Sequence, residues 1–253
     1  RRLGAMDGAR QITRRRALAL AALGATLVAY GAAAEHLWGL PSGLDVAVHS
    51  LLIFPAFAAA IWVALPLARI PSMRLVVAAA AAGLLAVGLT LLGAGSAANV
   101  SKLACFALLG FWFLSLFEQL WWVALVAVLV PWVDVWSVAA GPTRYVVEEQ
   151  PGLFQRISVA FPTPGETATV NIGPPDVIFF ALFLAAADRF GLRIGWTWLA
   201  MTACLAATLA LVWSWDVSGL PALPAVCLGF LLPNADLLWR DVRGVIRRRS
   251  VTP

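Results

Sequence analysis

Gly173-Pro174-Pro175-Asp176-Val177-Ile178-Phe179-Phe180 sets one carboxylate at the head of an apolar run, and the run continues through Ala181-Leu182-Phe183. Pro131-Trp132-Val133-Asp134-Val135-Trp136 sets a second carboxylate inside another apolar run. A carboxylate in hydrocarbon costs several kcal/mol or changes its protonation state, so an acid kept there calls for a functional reason. Two of them suggest a shared site.

The surrounding composition supports a membrane setting. Apolar residues make up 62% of the chain and charged residues 12%, with a mean hydropathy of +0.87. A water-soluble globule of that composition would lack a polar surface. The net charge of +5 does not point to nucleic acid, because the arginines cluster beside apolar runs, as the orientation signals of membrane helices do. Cys105, Cys204 and Cys227 all lie in apolar segments without CxxC spacing, so neither a zinc site nor a disulfide framework is expected.

Working outward, eight apolar segments come near the ~20 residues needed to cross ~30 Å of hydrocarbon, the sixth and eighth being short or broken by polar residues. They fall at about 17–34, 46–68, 75–95, 100–117, 119–139, 176–192, 196–214 and 219–237. The weakest division is Phe117-Glu118-Gln119, between the fourth and the fifth. With both termini cytoplasmic, the inside segments hold Arg1, Arg2, Arg10, Arg14, Arg15 and Arg16, then Arg69 and Arg74, then Arg189 and Arg193, then Arg240, Arg243, Arg247, Arg248 and Arg249. Only Lys102, Arg144 and Arg156 of the 18 basic residues fall outside. That bias obeys the positive-inside rule and supports a count of eight independently of hydropathy. Thr13-Arg14-Arg15-Arg16 ahead of an apolar run ending at Ala32-Ala33-Ala34 also has the form of an export signal, but an uncleaved first span is the reading adopted, with Met6 as a candidate start.

This topology brings three separated segments to one depth. Asp134 lies about five residues, or ~8 Å, from the outer end of the fifth span. Asp176 opens the sixth span from the same side. Gly219-Leu220-Pro221-Ala222-Leu223-Pro224 opens the eighth there as well.

The ordered set resembles the presenilin and signal peptide peptidase family of intramembrane aspartyl proteases. Members of that family carry Tyr-Asp in one helix, Gly-x-Gly-Asp opening the next, and Pro-Ala-Leu opening the last. Here VDVWSVAAGPTRYVVEE at 133–149 looks like the first motif with its following Gly-Pro-x-Arg segment, and GPPDVIFFALF at 173–183 looks like the second. Pro221-Ala222-Leu223 matches the third outright. The resemblance covers about 118–237 and departs from the family at two positions: Val133 stands for the tyrosine, and Pro175 for the second glycine. The inferred orientation, with the loop between the aspartates outside and the C-terminus inside, resembles that of signal peptide peptidase more than that of presenilin.

The resemblance implies an all-α polytopic membrane protein with a presenilin-like bundle and a short β-hairpin between the two aspartate helices. The chain would be a single membrane domain, with N-terminal helices in 1–117, catalytic helices in 118–237 enclosing a loop at 141–173, and a basic cytoplasmic tail at 238–253. It implies Asp134 and Asp176 as the catalytic pair, with Gly173, Pro175, Pro221, Ala222 and Leu223 contacting a transmembrane or signal-peptide-like substrate in the lipid bilayer. Two carboxyls sharing one proton can activate water and polarise a scissile carbonyl, which needs no metal or cofactor. A proton-coupled transporter or channel is the competing class, in which paired membrane acids carry protons or cations. A catalytically impaired scaffold member of the family is a third reading, motivated by Pro175.

Within the loop, Ile157–Phe161 and Thr167–Ile172 read as short strands around Pro162-Thr163-Pro164-Gly165. Such a hairpin is either a substrate-pairing edge or a tether between two helices. Asp45 and His49, spaced i, i+4 near the outer end of the second span, read as a rim hydrogen bond. Asn234 and Asp236 read as caps or partners for nearby arginines. Glu35, His36, Glu118, Asp188 and Asp216 fall at span ends where water is available, and the tryptophans, Trp121, Trp122, Trp196 and Trp198 among them, suit interfacial belts.

Overall fold

A computed structural model describes residues 14–141, 145, 149–166, 168–215 and 220–249. Met6, Pro142, Thr143, Arg144, Thr167, Asp216 and Gly219, all weighed in the sequence, lie outside the described residues.

Helix α1 spans Arg14–Ala33. The second span is built in pieces: α2 (Ser42–Val48), a π-helical turn (His49–Ile53), α3 (Phe54–Ala64) and a 3₁₀ turn (Leu65–Arg69). Pro55 explains the π turn, since it has no N–H to give to the preceding turn and its ring crowds the carbonyl there. The chain continues through α4 (Ser72–Leu91), α5 (Gly95–Leu114) and α6 (Leu120–Ala140). A short helix α7 (Pro151–Ile157) leads into strands β1 (Val159–Pro162) and β2 (Thr169–Ile172). Helices α8 (Pro174–Arg189), α9 (Ile194–Trp215) and α10 (Leu223–Arg249) complete the described chain.

A helical segment stands at each of the eight expected positions. Among the described residues, six helical stretches are long and apolar enough to cross a membrane. They are α1, the composite α2–α3, α4, α5, α6 and α9.

Helix α8 has 16 residues, about 24 Å at helical rise, which is short of a bilayer core. It is also central. Phe180 to Ala187 is an unbroken buried run, so every side of the helix meets protein. In lipid, apolar burial gives helices little reason to associate, and close backbone packing through small residues takes over. Gly110 of α5 lies directly under the carbonyl of Ile178 and the methyl of Ala181 in α8, and Gly229 of α10 lies against the backbone of Met201 in α9; a Cβ at either position would collide.

The sequence boundary at 237 is not a helix end. Helix α10 runs on to Arg249, because the Leu, Trp, Asp and Arg residues after Asp236 are acceptable helix formers and no proline interrupts them. Ile157 likewise ends α7, so the first strand starts two residues later than expected. Large apolar side chains such as Leu84, Leu91, Trp132 and Trp196 stay exposed around the bundle, as lipid-facing positions would.

Candidate active site

Asp134 lies on the stripe of α6 that meets protein. Val123 and Ala127 are buried on that stripe, whereas Trp132, Val133, Val135 and Trp136 point outward. The spacing from 123 to 127 to 134 follows the helical repeat, so the acid extends the packed face toward α10. Its Oδ2 accepts the backbone N–H of Leu223 at 3.1 Å. Leu223 is the first residue of α10, where N–H groups have no intrahelical acceptor and the helix dipole favours an anion. Val226 N–H turns back to the carbonyl of Ala222, closing this first turn.

Asp176 is the third helical residue of α8. Its Oδ2 accepts the N–H of Gly173 at 3.2 Å, the acid half of a capping box. Pro174 and Pro175 fill the two positions between, where a missing N–H costs nothing and a fixed φ suits the helix start. The same Pro-Pro-Asp order therefore starts the helix and sets the acid at its mouth.

The two acids come together. Asp134 and Asp176 are close enough for their charges to interact, and the thiol of Cys227 lies within range of both. Cys227 is buried, one helical turn below Leu223. Of the residues expected to contact substrate, Gly173 and Leu223 supply the N–H groups on the acids, Pro221 and Ala222 lead into the Leu223 turn, and Pro175 stands exposed beside Asp176. Val133, at the position of the family tyrosine, faces outward.

Next to this pair sits the hairpin, antiparallel in the register Val159↔Ile172, Ala160↔Asn171, Phe161↔Val170, Pro162↔Thr169. Its β1 side is fastened to the bundle. Asn99 Oδ1 accepts the Ala160 N–H at 3.3 Å, Lys102 Nζ donates to the Ser158 carbonyl at 3.0 Å, and Tyr30 donates to the Pro162 carbonyl at 2.6 Å. Phe161 meets Phe57 edge to face, and Phe57 packs on Phe180 of α8. At the turn, Gly165 has φ +71°, donates its N–H to the Ala34 carbonyl at 2.8 Å and leaves no room for a Cβ against Gly39. Strand β2 runs straight into Gly173, and among the described residues no backbone other than β1 pairs with it.

Three expectations about polar residues change. Asp45 and His49 are buried rather than at a rim, and His49 Nδ1 lies 2.8 Å from the main-chain carbonyl of Asp45, not its carboxylate. Packing of the π turn against α9 covers them. Asn234 is fully buried: its Oδ1 accepts the Arg193 N–H at 3.0 Å, and its Nδ2 donates to Thr197 Oγ1 and the Phe230 carbonyl, each at 2.8 Å. Asp236 pairs with Arg193 through two bonds, 2.6 and 2.8 Å, which hold the guanidinium pKa above its ordinary value. The partner lies in the α8–α9 loop, not among the arginines next in sequence.

Asn99 and Phe57 were not singled out in the sequence, where Lys102 figured only as an outside charge and Cys227 only as a cysteine in an apolar segment. Cys227 alone left a signal there, being i+4 from Leu223 on a helix. Comparison with known proteins finds no matching family, no matching curated protein and no matching solved structure. Function has to be argued from the residues and their geometry.

Proposed function

We propose that the chain is an intramembrane aspartyl protease, with Asp134 and Asp176 as its catalytic pair. The carrying observation is the approach of these two acids at the mouths of α8 and α10, each with its Oδ2 already held by a backbone N–H. The ordered resemblance to presenilin and signal peptide peptidase motifs supports the same reading.

Two carboxyls in mutual range inside a bilayer favour sharing one proton over carrying two charges. The ionised member draws a proton from water as the water attacks the scissile carbonyl, and the protonated member donates to that carbonyl oxygen. The gem-diol then collapses as a carboxyl proton passes to the leaving nitrogen. The proton belongs to the pair, and the N–H groups of Gly173 and Leu223 keep both carboxyls oriented.

A helical substrate has its carbonyls hydrogen-bonded and must be unwound first. Strand β2 offers an edge for the unwound segment, and its C-terminal end delivers that segment toward Asp176. In this reading all eight helical segments cross the bilayer, both termini are cytoplasmic, and the hairpin lies on the opposite side. Substrates are single transmembrane helices or signal-peptide-like helices.

Purified protein mixed with a transmembrane peptide in detergent tests the proposal. Cleavage that is blocked by a transition-state-analogue aspartyl inhibitor is the expected result. Absence of cleavage, while a homologous protease cuts the same peptide and this chain in liposomes shows proton-linked flux lost on neutralising the acids, would reverse the conclusion in favour of a transporter.

A further inference from the structure

At the end of the bundle away from the acids lies a cleft of about 300 Å³. Arg16 from the first turn of α1, Arg69 from the 3₁₀ turn after α3, and Asp188 from the last turn of α8 form its polar part. Trp62, Leu65 and Ile194 form its apolar part. We propose that this cleft binds a phosphoryl group, supplied by the phosphodiester of an anionic glycerophospholipid or by free phosphate.

Charge points to an anion. Arg69 Nη2 is 2.9 Å from Asp188 Oδ2, so the carboxylate neutralises one guanidinium and holds it in place. A guanidinium has five N–H donors, and one such bond leaves others to bind an incoming oxygen. Arg16 has no carboxylate partner among the described residues. Counted over the described residues, the cleft therefore keeps one net positive charge. Its two-part lining suits a headgroup whose phosphate meets the arginines while glycerol and the first methylenes meet Trp62 and Ile194. Basic pockets between membrane helices at this level are suited to such headgroups. Sequence spacing conceals the site, because its three charged residues come from three distant segments.

The test is native mass spectrometry of the full chain in detergent with phosphatidylglycerol, phosphatidylcholine or inorganic phosphate added. Phosphatidylglycerol should be retained in preference to phosphatidylcholine, and Arg16→Gln should weaken its retention about fivefold, the worth of one arginine at a charged surface. Arg16→Lys should restore most of it, and Asp188→Asn, which removes the repelling carboxylate, should bind at least as tightly as wild type. Displacement of the lipid by inorganic phosphate would assign the site to a soluble anion, and resistance to displacement would assign it to lipid. Equal retention of the two lipids together with unchanged binding by Arg16→Gln would overturn the proposal. None of these readouts depends on proteolysis.

Discussion

The backbone N–H of Leu223 donates to Oδ2 of Asp134 at 3.1 Å across 89 residues of sequence. This bond ties the first turn of α10 to the carboxylate in α6, so the Pro221-Ala222-Leu223 segment acts on the acid through its main chain. Leu223→Pro would delete that donor at a position where proline suits a helix start. Cleavage should fall about ten- to a hundredfold in kcat, the worth of one charge-assisted bond, with helix content unchanged; melting should drop because the Leu223 side chain is buried, and Leu223→Ala, which keeps the N–H, isolates that packing loss. A variant that cuts at the wild-type rate would show the bond to be dispensable.

Asp134→Asn and Asp176→Asn should each reduce cleavage by about a thousandfold or more, and the double variant should be scarcely worse, because the pair acts as a unit. Single-turnover rates on one transmembrane peptide measure all three. Substantial turnover by either folded single variant would remove that residue from the catalytic pair.

Cys227 is buried one helical turn below Leu223, within range of the charges of both acids. Cys227→Met adds volume at a closed position and should cost about 1–3 kcal/mol through overpacking. Its effect on cleavage should exceed that of Cys204→Met, since Cys204 is partly exposed on α9. Equal activity losses in the two variants would place Cys227 outside the site.

Gly165 holds the hairpin tip in a left-handed turn against Gly39. Gly165→Ala should cost about 1–2 kcal/mol for the left-handed backbone alone, and the blocked approach to Gly39 should lift the tip. Hydrogen exchange at the Gly165 and Ala160 amides should quicken while exchange in α8 stays slow. Unchanged protection at both amides would mean that the turn accommodates the methyl.

Asn234 and Asp236 lie two residues apart and should behave oppositely. Asn234→Ala leaves the Arg193 amide without its acceptor and removes the donor to the buried Thr197 hydroxyl, which keeps its own bond to the Arg193 carbonyl, a loss of about 2–3 kcal/mol. Asp236→Asn weakens a pair whose side chains are 45% and 46% exposed, and its melting temperature should be indistinguishable from that of wild type. Thermal denaturation in one detergent compares them directly.

The helical segments were legible because periodicity and hydropathy act within a single segment, and six of them among the described residues are long and apolar enough to cross a membrane, where a backbone that must satisfy its own hydrogen bonds has few alternatives. Counting eight crossings leads to the expectation that Asp134, Asp176 and Leu223 share one level, and the structure joins the Leu223 N–H to Asp134. The Pro-Pro-Asp start of α8 was legible for the same local reason, since helix-start chemistry spans four residues. Other features depend on which helices touch. Nothing near Asp134 in sequence foretells the Leu223 N–H, and nothing in Asn99 or Lys102 foretells a docked β1 edge. The burial of Asp45 and His49 under α9, the partnership of Arg193 with Asp236, and the sharing of one cleft by Arg16 and Arg69 are of this kind. Each brings together segments far apart in the chain, and rests on helix packing set by close approaches such as Gly110 on Ile178 and Gly229 on Met201. Local chemistry determines where a helix begins and which residues it carries, whereas the face it presents to its neighbours is chosen by steric fit across the whole bundle.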